Sequence, residues 1–528
     1  MPFTHIFCIA FPAWGHARPF CILAARLVKE NPDVILTLLL SPNLLSKAQD
    51  EVDAELHEAS SQDMRMRIRI LSSFQMTASD PFMSIVQQTI ATYPDIYKAL
   101  HTGESVTCAT KGTVFDAVEP PSIAVMDLYA YPQMKLTKSI SGDKIPIFGL
   151  VIGKAASLIR LCGPESLGGF GDLGARAEAE AARLGITPAE MGDKLYRETT
   201  GKVIKLPGVR EMYDYEFFPQ DVSSGNGNMT AQRTGLIVVI SSYHSAYHFL
   251  RECDGAFAAS TPDLEGEAIS ALRSWLTDDW GKEVYAIGPL LPSGYGVVEQ
   301  SHRGATDIKD FLDRMLEKFG KNSIMLVSFG TAFWPPDTTY LEEVIDCLIS
   351  MNFPFILSHA SRYAKVSDEL KERIKLSGIG ITTTWCPQQY TLSHEATGWF
   401  LTHCGHNSIT ESIGSGVPMI AWPFNADQPE GAYDLDEAGL GIELLQVRTG
   451  KNAKKPLFRN GKGAAGTREA VGAEMKDVIA SCRGEKGARI RENVEKMKNK
   501  FLGSWEGEGE ARKEISRFLS KYTDLVRV

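Results

Sequence analysis

Short continuous apolar runs alternate with stretches whose apolar residues recur every three or four positions. HIFCIAF (5–11), VILTLLL (34–40), IAVMD (123–127) and IPIFGLVI (145–152) read as buried strands. Between the first two, Phe20, Leu23, Ala24, Leu27 and Val28 lie at helical spacing within 17–30. Strands that are apolar throughout, separated by helical stretches, predict a parallel sheet covered on both faces. The rhythm breaks at about 160–235, where GGFGDLGARAEAEAARLG and then KLPGVREMYDYEFFPQD read as a helical insertion and a long loop. Loops of that length line binding sites or move. Two prolines and three glycines from Gly288 to Gly296 separate the strand VYAI from the helix DIKDFLDRML and mark a domain boundary.

Beyond that boundary the rhythm restarts, with strands expected at 323–330, 353–360, 378–385, 398–405, 417–422 and 440–445. Helical stretches at 467–483, 486–503 and 508–524 close the chain. A length of 528 residues exceeds one hydrophobic core. The pattern therefore predicts an α/β protein of two doubly wound parallel-sheet domains facing a cleft. Composition changes this little: 44% hydrophobic and 23% charged residues are ordinary for a globular protein. A net charge of −10 without a long basic block argues against a nucleic-acid partner. Nine scattered cysteines with no CxxC pair point to a reduced, cytoplasmic protein without structural zinc. The first strand has no basic flank or cleavage site of a signal peptide, and the last helix is too polar to span a bilayer. Asn228-Met229-Thr230 is a glycosylation sequon, which has no consequence in that compartment.

The chemistry concentrates in LTHCGHNSITESIGSGVP, residues 401–418, where a strand hands over to a helix. A metal site would draw on His403, Cys404 and His406, but these come from one sharp turn and lack the wider spacing of zinc ligands. Cys404 as a nucleophile would need His403 or His406 as base, without a recognised local signature. The third reading is an anion site. A helix N-terminus carries unpaired N–H groups and positive potential. Gly405 permits close approach, Asn407 and Ser408 suit the cap, and Glu411 shares a helix face with Ser408. A capped helix with a solvated Glu explains this stretch equally well.

The wider run WCPQQYTLSHEATGWFLTHCGHNSITESIGSGVPMIAWPFNADQ, Trp385 to Gln428, separates these readings. It resembles the donor-binding signature box of the family-1 UDP-dependent glycosyltransferases, in their spacing and without a gap. The resemblance implies the GT-B fold: two Rossmann-like domains, the second holding a UDP-sugar. Its division of the chain is 1–290 for the acceptor domain, 291–306 for a linker, 307–505 for the donor domain, and 506–528 for a helix returning to the first domain. It assigns Trp385 to stacking on uracil and Gln388 to uracil or ribose. His403, Asn407 and Ser408 fall on the diphosphate, with Thr331 from the domain's first loop. Glu411 falls on the ribose hydroxyls, and Asp427 with Gln428 on the transferred sugar. UDP-glucose is the implied donor. Where plant members carry Trp, this chain has His406, a departure that bears on sugar preference.

On the acceptor side, GHARP places His16 in the loop after the first strand, where ligands sit in open α/β sheets. A histidine there suits general-base work, and GHxxP matches the family's catalytic His. Asp127, ending IAVMD, matches the partner carboxylate, although a helix N-cap is the competing reading. The resulting mechanism is metal-free displacement with inversion: His16 takes the proton of a small hydroxylated acceptor as UDP leaves. A monomer is expected. Aromatics at Phe74, Phe82, Tyr93, Phe170, Tyr213, Tyr215, Phe217 and Phe218 suit an apolar acceptor or simple packing. Asp434-Leu435-Asp436 spells DxD but reads as solvated helix surface. Gly461 to Gly466 spells GxGxxG but follows no strand and reads as a loop. A UDP-sugar hydrolase or epimerase of the same fold, and a non-catalytic UDP-sugar binder, are the alternatives.

Overall fold

A computed structural model describes residues 4–56, 62–77, 79–221, 244–293, 295 and 305–523. The sequon at 228–230 and most of the expected linker 291–306 lie outside the described residues.

The first sheet contains β1 (Thr4–Ile9), β2 (Val34–Leu39), β3 (Ile68–Leu71), β4 (Ile123–Asp127), β5 (Ile147–Val151), β6 (Gly255–Ala258) and β7 (Glu283–Ala286). Their order is β7-β6-β5-β4-β1-β2-β3, with every pairing parallel. The second sheet contains β8 (Ile324–Ser328), β9 (Phe355–Ser358), β10 (Gly380–Thr383), β11 (Thr397–Thr402), β12 (Met419–Ala421) and β13 (Gly441–Glu443). Its order is β10-β9-β8-β11-β12-β13, again all parallel. Both sheets are doubly wound, as the hydrophobic rhythm predicts.

Two strands escaped the pattern. In β3, IRIL, the buried Arg69 interrupts the apolar run and bonds the Asp116 carbonyl. In β6, GAFA, small residues carry little hydrophobic signal. The stretch 160–235 also differs from its reading. After helix Leu173–Leu184 and helix Pro188–Arg197 comes an antiparallel hairpin, Val203–Leu206 with Val209–Tyr213, where a loop was expected.

The segment that follows the hairpin leans on the second half of the chain. Tyr215 Oη donates to the Pro456 carbonyl at 2.6 Å, and Gln220 Nε2 to that of Val447 at 3.0 Å. Each sheet has its own core: Leu290 belongs to the first and Leu291 to the second. The closing helix Glu510–Thr523 packs Ala511, Ile515, Phe518 and Leu519 into the first core. No helix among the described residues is long and apolar enough to cross a membrane.

Candidate functional site

In a doubly wound sheet the crevice opens where successive connections run to opposite sides. In the first sheet that point lies between β1 and β4, and in the second between β8 and β11. His16 follows β1 and Asp127 ends β4. Thr331 follows β8, and residues 403–408 follow β11. The topology thus carries both candidate half-sites to the mouth of one cleft. A cavity of about 970 Å³ fills it, lined by His16, Asp127 and all nine candidate donor residues.

His16 is not in a loop. Helix α1 (Trp14–Glu30) starts earlier than the hydrophobic spacing predicts, and His16 sits in its first turn. Trp14, Gly15 and His16 lie outside the apolar periodicity because this turn lines the cavity. His16 Nδ1–H donates to Asp127 Oδ2 at 2.7 Å. Asp127 is 2% exposed and its other oxygen accepts from the Tyr129 N–H at 3.0 Å. The competing cap reading of Asp127 fails, because the following helix begins at Tyr131 with Ala130 as its cap. Phe11 and Tyr129 flank the imidazole at 5.1 and 5.2 Å between ring centres. A buried carboxylate that holds Nδ1 leaves Nε2 as the ring nitrogen for proton transfer.

The donor half is built on helix α2 (His406–Gly414). Its cap is Gly405, so Asn407 and Ser408 lie in the first turn rather than at the cap. The turn into the helix needs unusual backbone: Cys404 has φ +64, a left-handed conformation costly for a residue with a Cβ. Cys404 itself is wholly buried, and burial pushes its thiol far above the usual range, which removes it as a nucleophile. The imidazole of His403 fits between two glycines, since a Cβ at Gly330 or Gly405 would stand 3.0 or 2.7 Å from it. Burial lowers the His403 pKa to about 4, so the ring is neutral near pH 7 and offers an N–H rather than a charge. Burial lowers His406 as well.

Other candidates are already engaged. Trp385 keeps an open face at 39% exposure, as a stacking surface requires. Asn407 Nδ2 donates to the Gly15 carbonyl at 2.7 Å, tying α2 to the start of α1. Gln388 Nε2 donates to Glu411 Oε2 at 2.7 Å. The other oxygen of Glu411 accepts from Arg18, a residue on α1 that the sequence reading passed over. Arg18 also donates to Glu51 at 2.9 Å and is 4% exposed. Its Nη2, His403 Nδ1 and His406 Nδ1 have no hydrogen-bond partner among the described residues. Buried polar atoms left this way concentrate at ligand sites.

Asp427 and Gln428 begin helix α3 (Gln428–Glu437), Asp427 as its cap. Asp427 Oδ2 accepts from the His406 N–H at 3.0 Å, and burial raises its pKa. Gln428 is turned partly inward: its Oε1 accepts from the Phe424 and Asn425 N–H groups.

Behind this pair lies a polar cluster unseen in the sequence. Lys154, 1% exposed, donates to Asp434 Oδ2 at 2.6 Å and lies 3.2 Å from Glu265. The DxD triplet is therefore not all solvated surface; Asp436 is exposed, but Asp434 is a half-buried ion-pair partner. Glu430 accepts from Ser157, and burial pushes its carboxyl up to about 8. Of the aromatics expected at the acceptor end, only Phe82 lines the cavity; Tyr93 is stacked on Tyr97 in the core. Trp14, Tyr129, Phe333 and Tyr363 line it instead.

A family model described as UDP-glucoronosyl and UDP-glucosyl transferase matches residues 284–453, the stretch that carries the donor half. UDP-glycosyltransferase eriJ of Hericium erinaceus is 27% identical over 530 residues, covering 96% of this chain and 96% of its own. Over nearly its whole length the chain is similar to UDP-glycosyltransferases. It is a glycosyltransferase that takes its sugar from a UDP-sugar donor. The barley UDP-glucosyltransferase UGT13248 is 32% identical over 45% of this chain and 48% of its own length. Medicago truncatula UGT71G1, solved with UDP-glucose, superposes with a TM-score of 0.67 at 17% identity, over 99% of this chain and 98% of that one. That likeness makes the fold GT-B.

Proposed function

We propose that this glycosyltransferase moves glucose from UDP-glucose to a hydroxyl of a small, largely apolar acceptor, with inversion and with His16 as general base. The observation that carries the reading is the 2.7 Å bond from His16 Nδ1 to buried Asp127, on the wall of the cavity that Trp385 to Gln428 also line. Nε2 of His16 accepts the acceptor's proton as its oxygen bonds to the anomeric carbon. The bond from that carbon to the UDP oxygen breaks on the opposite side. Asp127 stabilises the imidazolium formed. Negative charge growing on the leaving diphosphate meets the first amides of α2, which have no partner within the helix, together with His403, Ser408 and Thr331. Trp385 offers uracil a planar face worth about 1–3 kcal/mol. Glu411 takes the ribose hydroxyls once Gln388 or Arg18 gives way, and Asp427 with Gln428 grips the sugar. This arrangement requires no divalent cation.

Glucose is favoured by Asp427-Gln428 and by the glucosyltransferase name and UDP-glucose complex among the similar proteins. The aromatic rim of Trp14, Phe82, Tyr129 and Phe333 favours an apolar acceptor. Calorimetric titration of the protein with UDP in EDTA tests the donor site without knowledge of the acceptor. Saturable binding that Trp385→Ala weakens is expected. Absence of binding in EDTA, restored by a divalent cation, would overturn the metal-free reading.

A further inference from the structure

Among the described residues, one cluster outside the cavity combines three metal-ligating side chains. Asp172 caps the helix Leu173–Leu184, where its Oδ1 accepts from the Ala175 N–H at 2.9 Å. His244 and His248 lie four apart on helical residues 244–252, hence on one face. One ligand atom from each of the three falls within 4.8 Å of the others. We propose that Asp172, His244 and His248 bind a divalent transition-metal ion, zinc first, which clamps the helical insertion to the wall of the acceptor cavity.

The distances favour an ion over simple hydrogen bonding. His248 Nε2 lies 3.6 Å from Asp172 Oδ2, and His244 Nδ1 lies 3.9 Å from Oδ1. Both exceed the ~3.2 Å limit of an N–H···O bond. Two ligands of a tetrahedral ion with bonds of about 2.0–2.1 Å stand roughly 3.4 Å apart, so a small contraction completes the geometry. His244 Nδ1 is shielded from solvent and has no hydrogen-bond partner among the described residues. Its ring is also seated against Gly174, where a Cβ would fall 1.6 Å from Nδ1. The packing thus reserves this position for the imidazole.

Two imidazoles and one carboxylate suit a borderline divalent ion, with water as fourth ligand. None of the three side chains lines the cavity, so the ion takes no part in transfer. Its effect is positional. Ala246 lies between the two histidines and lines the cavity, as do Leu161 and Cys162, which precede the insertion helix.

The test uses the full chain, stripped with EDTA and dialysed. Zinc chloride is titrated by calorimetry and cobalt chloride followed by visible absorption. One zinc per chain, and the intense d–d bands of four-coordinate cobalt, are expected. Both should vanish in His248→Ala and also in Gly174→Ala, which leaves all three ligands present but displaces the His244 ring. UDP binding serves as the check that each variant is folded. No stoichiometric zinc step, or one unchanged in both variants, overturns the proposal. Should His248→Ala fail to fold, Gly174→Ala decides alone.

Discussion

His16 and Asp127 lie 111 residues apart in sequence and 2.7 Å apart in space. If His16 is the base, His16→Ala lowers kcat by about 10²–10⁴ while UDP affinity stays unchanged, because the ring touches the acceptor half alone. Steady-state kinetics beside calorimetry would show it; equal losses in both would place His16 in donor binding. Trp385→Ala should do the reverse, weakening UDP by about 1–3 kcal/mol with the Asp127–His16 pair intact. These residues were legible because each belongs to a motif with its own register. Arg18 was not. Its partners Glu51 and Glu411 are 33 and 393 residues away, and no local spacing announces either pair, the second of which forms only when the domains meet. Replacing Arg18 by Ala takes the guanidinium away from two buried carboxylates, so a loss of about 3–5 kcal/mol is expected on urea unfolding.

At the scale of elements, strands with continuous apolar runs were read correctly; IAVMD (123–127) matches its strand at both ends, and the others run one to three residues too far at their C-terminal ends. Apolar residues continue past the last ladder bond, as Phe11 does after β1, where it flanks His16 instead of pairing. The start of α1 was set three residues late for a related reason: its first turn faces the cavity, so hydrophobic spacing carries no signal there. Helix α3 shows the limit of reading charge as surface. Its polar face, with buried Glu430 and partly buried Asp434, packs against Lys154 and Ser157 of the first domain. Burial pushes the Glu430 carboxyl up to about 8 in the folded chain, above the usual carboxylate value of about 4.5. The folded form therefore holds a proton that the unfolded form has lost, and stability falls as pH rises from about 4.5 through 8. Glu430→Gln should flatten that alkaline decline in melting temperature measured from pH 6 to 9; an unchanged slope would mean the carboxyl ionises without penalty.

Across the whole molecule, two cores meet through polar contacts: Arg18 with Glu411, Lys154 with Asp434, Asn407 with Gly15 and Tyr196 with Asn425. The rhythm of strands and helices made the two doubly wound domains legible, and the resemblance of 385–428 supplied the GT-B plan. The contacts between domains were not, since each joins residues of no shared periodicity. The acid limit of stability is also a whole-chain property. Burial lowers both His5 and His403 to about 4, so the unfolded chain takes up these protons first as pH falls below 6.5. Stability should drop between pH 6.5 and 4 by up to about 1.4 kcal/mol per pH unit for each ring. His5→Gln, keeping a donor for the Glu119 carbonyl, should make the decline shallower in urea titrations.

The most direct measurement gives the protein UDP-glucose and a panel of small phenols and alcohols, and reads product by mass spectrometry and anomeric proton coupling. A β-glucoside formed with one UDP per turnover in EDTA is expected, lost in His16→Ala, which still binds UDP. An α-glucoside, UDP release without glycoside whatever the acceptor, or undiminished product from His16→Ala would contradict it.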